Sequence, residues 1–378
     1  MIGYLTGRKR MKGGLYFGPP GWAPMEIEGL SSVDKEAGKA AEALPEDRQA
    51  LIGLLESIGL GKTNPTLPSL AEQLHELGAR RLRALVLNLL PTQPEFALSA
   101  ALSEAAIQDV LAGLDAIQKH VHARRIIVAV DRHDWRLRRS WRRANRARQY
   151  VITKLLNRYP QAHPTMLIWT LFAKRLPVGR SPVRVNRMII DPVTCWALGR
   201  YVRRGERFAR RPVQVFAPSR AHPDPRLVLA EIGESLSLLC ERLRIPLLNR
   251  QVIVNGLLSG EEVDPVHFRV GPDTESITVR DKLIAERPSP CFACGWCVDV
   301  CPTSLNPVNL LDLAERAQNA AGGTDTPAIG ALLHTREAKE SLHCVGCGLC
   351  SYVCPTRLPL TQQTLRLRNW VVSAEQAS

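Results

Sequence analysis

The sequence lacks a long apolar run. It has 378 residues, of which 45% are hydrophobic and 23% are charged, the composition of an ordinary globular protein. No apolar segment approaches the length of about 18 residues that a membrane-spanning helix needs. The basic N-terminal stretch MIGYLTGRKRMKGGLYF is also not followed by the apolar segment of a signal peptide. We therefore expect a protein of a reducing, cytoplasmic compartment, in which disulfides are rare.

Balancing acidic residues and a complete phosphate-binding loop are also missing. Fifty Lys plus Arg face 36 Asp plus Glu, for a net charge of +14. This imbalance favours an acidic partner: nucleic acid, an anionic membrane surface or an acidic protein. The stretch GLGKT ends like a phosphate-binding loop, but Glu56 stands five positions before Gly61, where that motif needs a glycine. We expect no nucleotide hydrolysis and identify no general acid, base or nucleophile.

Cysteine, in contrast, is concentrated in two runs. CFACGWCVDVCP (291–302) and CVGCGLCSYVCP (344–355) hold eight of the ten cysteines. Both have the spacing C-x2-C-x2-C-x3-C-P of proteins with two [4Fe–4S] clusters, in which the fourth cysteine ligates the other cluster. Structural zinc sites are the alternative, but they usually pair two nearby cysteines with a distant second pair. The predicted ligands are Cys291, Cys294, Cys297 and Cys354 for one cluster, and Cys344, Cys347, Cys350 and Cys301 for the other.

Strand and helix patterns alternate upstream of these motifs. ALVLNLL (84–90) and RIIVAV (125–130) are continuous apolar runs, as in buried parallel strands, and VRVNRMII (183–190) predicts another strand. Helical patterns occupy 97–121, 131–158 and PVTCWALGRYVRR, and Cys195 and Cys240 lie in apolar segments as small buried residues. We predict an α/β plus α+β protein in four parts: an N-terminal segment without clear pattern (1–50), a parallel α/β domain (51–211), a small domain of mixed strands around one helix (212–285), and a helical double-[4Fe–4S] ferredoxin domain (286–378).

The order of these parts resembles that of a known family. RPVQVFA, EIGESLSLLCERL and QVIVNGLLSG, followed by the two cysteine motifs, look like the C subunit of the Rnf electron-transport complex. The similarity runs from about residue 48 to 370. That family resembles the flavin subunit of respiratory complex I, followed by a β-grasp domain and two [4Fe–4S] clusters. The resemblance implies transfer of electrons from or to NADH, through FMN, at a membrane complex.

Three elements of the family's flavin and NADH site depart from its pattern here. The glycine-rich loop aligns with GLGKTNPT (59–66), where Lys62 and Asn64 replace glycines that let backbone approach a phosphate. The acidic segment NGAECEPY aligns with NLLPTQPEF, which keeps Asn88 and Pro94 while the acidic residues are replaced, and the turn PQGGEK has become PQAHPT. The family's N-terminal β-rich domain is mostly absent. We therefore expect neither FMN nor NADH to bind to this degenerate nucleotide-binding-like domain.

An arginine-rich stretch, DRHDWRLRRSWRRANRARQYVITKLL (131–156), has eight arginines between Arg132 and Arg148 and no glutamate. We predict one helix with a buried stripe of Leu137, Trp141, Ala144, Ala147, Val151 and Leu155. Like-charge pairs four residues apart cost about 0.2–0.5 kcal/mol each on a helix; there are four such pairs here, Arg132/Arg136, Arg138/Arg142, Arg139/Arg143 and Arg142/Arg146. An opposing acidic surface would relieve that cost, and a merely solvated face is the alternative. The predicted contacts to an acidic redox protein or an anionic membrane surface are Arg138, Arg139, Arg142 and Arg143.

Together these features predict an iron–sulfur electron-transfer subunit of a larger, membrane-associated oxidoreductase complex, rather than a stand-alone catalyst. We expect it in the cytoplasm, peripheral on the inner membrane through partner subunits. One alternative is an NADH-oxidising, FMN-dependent subunit of the Rnf type, which flavin content tests. A second is a nucleic-acid-binding iron–sulfur protein, which a salt-dependent gel shift tests. We do not expect nucleic acid as the partner, because the stretch 131–156 lies in a predicted sheet-packing unit and in no recognised binding fold.

Overall fold

The chain forms two compact units. The structure, a computed structural model, describes residues 4–5, 8–9, 27–30, 44–148, 150–217, 225–282, 287–322 and 326–377. One unit comprises Met1–Tyr16, Arg158–Arg180 and Ile284–Ser378, and we call it the cysteine unit; the other, the sheet unit, comprises Phe17–Asn157 and Ser181–Leu283. Residues 158–180 thus group with the cysteine motifs, whereas the predicted boundaries joined them to the α/β domain. The division into four parts stays a prediction.

The elements are numbered in chain order. The strands are β1 (Tyr4–Leu5), β2 (Arg8–Lys9), β3 (Ile27–Glu28), β4 (Ala84–Asn88), β5 (Ile126–Asp131), β6 (Val151–Leu155), β7 (Arg187–Ile190), β8 (Arg210–Phe216), β9 (Arg226–Glu231), β10 (Arg250–Val254), β11 (Glu261–Glu262) and β12 (Ser276–Asp281). The helices are α1 (Arg48–Ser57), α2 (Leu70–Leu77), α3 (Leu98–Ala105), α4 (Ile107–Val121), α5 (Trp135–Ala144), α6 (Pro164–Phe172), α7 (Pro192–Arg204), α8 (Leu236–Arg242), α9 (Trp296–Asp299), α10 (Pro307–Gly322), α11 (Thr326–Leu333), α12 (Arg336–Lys339), α13 (Leu349–Tyr352) and α14 (Leu360–Ala377).

A wholly parallel four-stranded sheet lies in the sheet unit, with strand order β6-β5-β4-β7. β4 is buried along its whole length and β5 along nearly all of it, as expected for parallel strands covered on both faces. Helices α4 and α7 touch through their backbones because Gly113 and Gly199 have no side chains. A Cβ atom at Gly199 would lie 1.8 Å from the carbonyl oxygen of Asp109. The predicted parallel α/β sheet is confirmed.

A second, mixed sheet completes the sheet unit, with strand order β11-β10-β12-β8-β9-β3. Its β8–β9 and β10–β12 pairs are antiparallel, whereas β8 and β12 are parallel. Helix α8 packs on this sheet through Leu236 and Leu239, against a core that includes Val213, Val254 and Ile277. The described residues of this sheet are thus mixed strands with one helix packed on them, and β3 joins the sheet from outside the predicted range 212–285.

Two predicted elements are wrong in their extent. The helix predicted over 131–158 covers only α5, because the Asn145 side chain bonds both the N–H and the carbonyl of Tyr150 at 2.8 Å and turns the chain. The following residues pair with β5 as strand β6, so Val151 and Leu155 are not on a helix and Val151 is exposed. Of the predicted stripe, Leu137 and Trp141 are buried; Ala144 is half-buried and Ala147 exposed.

The strand predicted over 183–190 is also shorter than expected. Residues Pro182–Val185 form a 3₁₀ turn, and Asn186 has a left-handed φ of 57°. Only Arg187–Ile190 pairs with β4. An asparagine tolerates this conformation better than the β-branched residues beside it, and the strand begins after it.

The cysteine unit is mainly helical in its C-terminal part. Helices α10, α11 and α12 lie between the two cysteine motifs and α14 follows the second motif, in the domain predicted to be helical. A core that includes Leu310, Ala314, Leu367 and Val371 joins α10 to α14. Among the described residues, none of the helices combines the length and the apolar character needed to cross a membrane.

Candidate metal centre

The eight motif cysteines line two cavities in the cysteine unit. One cavity is lined by Cys291, Cys294, Cys297 and Cys354, which we call the first set. The other is lined by Cys344, Cys347, Cys350 and Cys301, the second set. Each cavity takes three cysteines from one motif and the fourth from the other, the same grouping that the spacing predicts. In the described part of the chain, no three Cys, His, Asp or Glu side chains are positioned to hold a single metal ion.

The two motifs fold alike because their backbones repeat three left-handed positions. Gly295 and Gly348, which precede the third cysteine of each motif, both have φ of 80°. Ala293 and Gly346 correspond to each other, as do Ser304 and Arg357, and all four have φ between 56° and 69°. Positive φ is costly for residues other than glycine. Three such residues are held in the two loops, so the loop shape is retained at some cost in stability.

Hydrogen bonds reach several cysteine sulfurs. Threonine hydroxyls lie within hydrogen-bond distance of the Sγ atoms of Cys301, Cys354 and Cys350; the distances are 3.5 Å for Thr303, 3.2 Å for Thr356 and 3.1 Å for Thr361. The backbone N–H of Leu305 also donates to Cys301 Sγ at 3.2 Å. Donors of this kind stabilise thiolate and tune an iron–sulfur cluster. The sequence analysis missed these threonines, although both motifs continue as C-P-T and could have indicated two of them.

The thiol environments differ in their effect on pKa. Burial raises the pKa of Cys297 to about 11 and that of Cys350 to about 11. For Cys354, burial is the largest single effect and raises the pKa, but the Thr356 hydroxyl and three backbone N–H groups together lower it. Because iron binds the thiolate, loading the buried cysteines must release protons.

The two sets also differ in exposure. Cys291 and Cys294 are exposed, whereas all four cysteines of the second set are only partly exposed. The cavities measure about 260 Å³ for the first set and about 20 Å³ for the second. Large apolar side chains of the first motif also face solvent: Phe292 is 64% and Trp296 56% exposed. The first set is therefore the one that faces solvent.

The aligned flavin loop lies in the sheet unit, near the carboxyl ends of β4 and β7, the switch point where such sheets bind ligands. Lys62 is exposed, but Thr63 and Asn64 are buried. The Thr63 hydroxyl donates to Asp191 at 2.7 Å, and Asp191 also accepts the backbone N–H groups of Val193 and Thr194. The N-terminus of α7, which could otherwise bind an anion, is thus capped by a carboxylate of the chain itself.

The second aligned element borders the mixed sheet through a polar seam, defined here as Asn64, Thr92, Gln93, Arg211 and Glu275. Asn64 Nδ2 and the Thr92 hydroxyl each donate to Glu275 at 2.7 Å. Burial raises the pKa of Glu275 to about 7 and lowers that of Arg211 to about 10. Gln93 donates to Ser259 at 2.6 Å; among the described residues, Gln93 Oε1 and Arg211 Nη2 have no hydrogen-bond partner. Most hydrogen-bonding groups of the seam are thus bonded to other residues of the chain.

The third aligned element, PQAHPT (160–165), lies in the cysteine unit. His163 caps helix α6, accepting the N–H of Thr165 at Nδ1. Burial lowers the pKa of His163 to about 4, with a smaller contribution from Arg368. Gln161 donates to the Thr170 hydroxyl at 3.0 Å. These side chains make internal contacts of the unit.

The arginine-rich helix α5 presents an unpaired basic surface. Arg139, Arg142 and Arg143 are exposed, and Arg138 is half-buried, with its Nε donating to the Asp134 carbonyl at 3.1 Å. Within the described residues, none of these four side chains forms an ion pair. Two of the four predicted like-charge pairs, Arg138/Arg142 and Arg139/Arg143, lie wholly on α5. Their repulsion is then about 0.4–1 kcal/mol, half the cost of four pairs.

Cys195 and Cys240 are buried in the cores of the sheet unit, as predicted. Burial raises the pKa of Cys240 to about 11 and raises that of Cys195 well above its ordinary value. Both behave as small apolar residues.

Two family models and a solved structure match this chain. The family model of the Nuo51 FMN-binding domain matches residues 61–199, and that of the 4Fe-4S dicluster domain matches residues 290–358. The chain has the fold of a chain in the NAD⁺-reducing [NiFe]-hydrogenase in its H₂-reduced state. The TM-score is 0.57 at 15% identity, covering 92% of this chain and 67% of that one.

Three curated relatives are each similar to more than half of this chain. The C subunit of the ion-translocating oxidoreductase complex of Edwardsiella ictaluri is 26% identical over 240 residues, which are 62% of this chain and 30% of that protein. The protein of that name from Buchnera aphidicola is 19% identical over 296 residues, covering 76% and 59%. The C subunit of the proton-translocating ferredoxin:NAD(+) oxidoreductase complex of Clostridium ljungdahlii is 23% identical over 212 residues, covering 55% and 46%. The matches span 30% to 59% of these relatives' lengths. The resemblance to the Rnf C subunit is confirmed.

Proposed function

We propose that this chain, which resembles the C subunit of the Rnf complex, is an iron–sulfur electron-transfer subunit of a larger oxidoreductase complex. The observation that carries the proposal is the pair of cavities, each lined by three cysteines of one motif and one of the other. The first and second sets would each hold one [4Fe–4S] cluster, which supplies one-electron transfer when bound. The chain's own part is to supply thiolates, orient hydroxyl and N–H donors toward them, and limit access of water.

The exposure of the first set makes it the end at which electrons enter or leave the protein. Cys291 and Cys294 are exposed, whereas the four cysteines of the second set are only partly exposed. A redox partner can therefore approach the first set closely without any rearrangement of the chain.

The test is anaerobic purification followed by iron and sulfide analysis and EPR of the reduced protein. We expect about eight iron and eight sulfide per chain and two distinguishable [4Fe–4S] signals, by the ligand count of the two motifs. One zinc per motif, or iron without sulfide, would contradict the proposal. Co-purification of the native complex, with its other subunits identified, would then establish the donor and acceptor.

The same proposal includes the absence of FMN and NADH from the sheet unit. The support is physical: Thr63 and Asn64 are buried and bonded to Asp191 and Glu275, and the N-terminus of α7 is already capped. The match to an FMN-binding domain family supports the alternative, an FMN-dependent NADH-oxidising subunit. Stoichiometric FMN in protein purified without added flavin, or rapid cluster reduction by NADH, would favour that alternative.

The α5 surface would contact an acidic redox protein of the complex. Exposed arginines without ion pairs attract carboxylates. Trp135 is 57% exposed, and its ring centroid lies 5.6 Å from the Cζ atom of Arg136. Tryptophan is a residue type common in binding hot spots. A membrane surface is the less suitable partner, because the apolar face of α5 (Leu137 and Trp141) is already buried in the protein and cannot insert into lipid.

A charge-matched pair of variants tests this surface. The α5 variant replaces Arg138, Arg139, Arg142 and Arg143 with glutamine. The control makes the same replacement at four other exposed arginines, Arg81, Arg83, Arg124 and Arg125. We expect only the α5 variant to lose partner subunits, with an intact cluster content and a reduced dependence of assembly on salt. Loss of binding to anionic vesicles but not to subunits would indicate a membrane partner instead. Equal behaviour of the two variants would indicate a solvated face.

The remaining proposals concern location and domain identity. The named relatives belong to ion- or proton-translocating complexes, so we place this chain in the cytoplasm, peripheral on the inner membrane through partner subunits. Fractionation with membranes that depends on the partner subunits is the expected result. The mixed sheet with α8 would correspond to the family's β-grasp domain.

A further inference from the structure

Two side chains from distant parts of the cysteine unit hold the backbone of the second motif. The Tyr159 hydroxyl, from the turn before α6, donates to the carbonyl of Cys347 at 2.7 Å. Arg368 Nη1, from α14, donates to the carbonyl of Cys344 at 2.8 Å. Both acceptors belong to predicted ligands of one cluster. Nothing in the local sequence around the cysteines indicates either contact.

The first motif is an internal comparison, because it has the same spacing and loop shape. Its corresponding residues are Cys291 and Cys294, both exposed. Among the described residues, no side chain donates to their carbonyl groups, although the N–H of Ala293 donates to Cys291 Sγ at 3.4 Å. The tyrosine and arginine contacts are thus specific to the second motif rather than a requirement of the fold.

Arg368 brings a positive charge that no carboxylate neutralises in the described part of the chain. Its only hydrogen bond there is the one to Cys344. His163, the nearby titratable group, is buried with its pKa lowered to about 4, so it is neutral at pH 7 and adds no second charge.

A cation and hydrogen-bond donors stabilise negative charge more strongly where water is excluded. Reduction adds one negative charge to a cluster. Burial by itself disfavours that added charge, so a shielded cluster without compensation would be harder to reduce. Arg368 and Tyr159 act in the opposite direction, at the backbone of two of its ligands.

We propose that Arg368 and Tyr159 are positioning residues that raise the reduction potential of the cluster bound by Cys301, Cys344, Cys347 and Cys350. The inference rests on the proposed function and deepens it. An electron that enters at the exposed first set would then be held at the shielded second set until a partner accepts it.

The test is an EPR-monitored redox titration of the whole protein. Arg366, two residues earlier on α14, is exposed and bonded to Gln318, so Arg366→Gln is a matched control with the same charge change. We expect Arg368→Gln to weaken reduction of one cluster at least threefold, about 28 mV downward for a one-electron couple, with the other cluster unchanged. Arg368→Lys should have a reduction potential close to that of the wild type.

Tyr159→Phe removes only the hydroxyl and keeps the ring, so it provides an independent reading if Arg368→Gln does not fold. We expect a smaller downward shift in the same cluster. The inference is overturned if both clusters are present and neither Arg368→Gln nor Tyr159→Phe shifts a potential more than Arg366→Gln does. Absence of two clusters from the wild-type protein would instead contradict the proposed function.

Discussion

The buried carboxyl of Glu275 should make the stability of the sheet unit depend on pH. Burial raises its pKa from 4.5 to about 7, against the opposing effects of Thr92 and Arg211. An acid whose pKa rises on folding holds its proton more tightly in the folded chain. The stabilisation of the fold by protonated Glu275 is therefore complete below about pH 4.5, and it is lost as the pH rises through about 7. At about 1.36 kcal/mol per pKa unit, the whole effect is about 3 kcal/mol, of which about 2–3 kcal/mol falls between pH 5 and 8.

Glu275→Gln isolates this effect, because glutamine keeps the shape and can accept a hydrogen bond but cannot ionise. The assay is hydrogen–deuterium exchange of peptides covering 59–67 and 275–281, corrected for intrinsic rates, at pH 5 and 8. We expect protection in the wild type to fall by about 2–3 kcal/mol more than in the variant over this range. The control is Glu262→Gln, at an exposed carboxyl of β11, which should behave as wild type. Equal pH dependence in wild type and Glu275→Gln would refute the reasoning.

Three further predictions concern packing, the loop and the sulfur hydrogen bonds. Gly199→Ala, at the backbone contact of α4 and α7, should destabilise the sheet unit by about 1–3 kcal/mol or more in urea unfolding, whereas Gly53→Ala, in open space on α1, should not destabilise it. Asn64→Gly should loosen the aligned loop by about 1–3 kcal/mol, measured by exchange, through loss of its buried hydrogen bond, and should still not yield a flavin-containing protein. Thr361→Val should lower the reduction potential of the second set's cluster, and Thr356→Val that of the first set's cluster, because each removes one hydroxyl donor to a cysteine sulfur. A redox titration in which both variants shift the same cluster would contradict the ligand grouping.

Short sequence patterns predicted the elements that can be recognised from neighbouring residues alone. The continuous apolar runs of β4 and β5 indicated buried parallel strands, and the domain predicted to be helical contains α10 and α14. The cysteine spacing likewise predicted which four cysteines share each cavity, because the repeated motif carries its own geometry.

Nonlocal contacts account for what the sequence analysis missed. The arginine-rich helix ends at Ala144 because Asn145 bonds to Tyr150 and the next residues gain a strand partner in β5. Helical periodicity continued through that point, so the periodicity alone indicated neither the turn at Asn145 nor the pairing of the next residues with β5. The grouping of residues 158–180 with the cysteine motifs, through contacts such as Tyr159 to Cys347, joins residues 188 positions apart. No window of sequence contains both.

The most direct test of the central claim is whether each motif's fourth cysteine belongs to the other motif's cluster. Four single variants, Cys294→Ser, Cys354→Ser, Cys347→Ser and Cys301→Ser, are compared by iron content and EPR, with the buried Cys240→Ser as the control. We predict that Cys354→Ser loses the same signal as Cys294→Ser, and that Cys301→Ser loses the same signal as Cys347→Ser. Iron should fall from about eight to about four per chain in each, and stay at about eight in the control. Loss of the Cys347 signal in Cys354→Ser, with the Cys294 signal intact, would contradict the account.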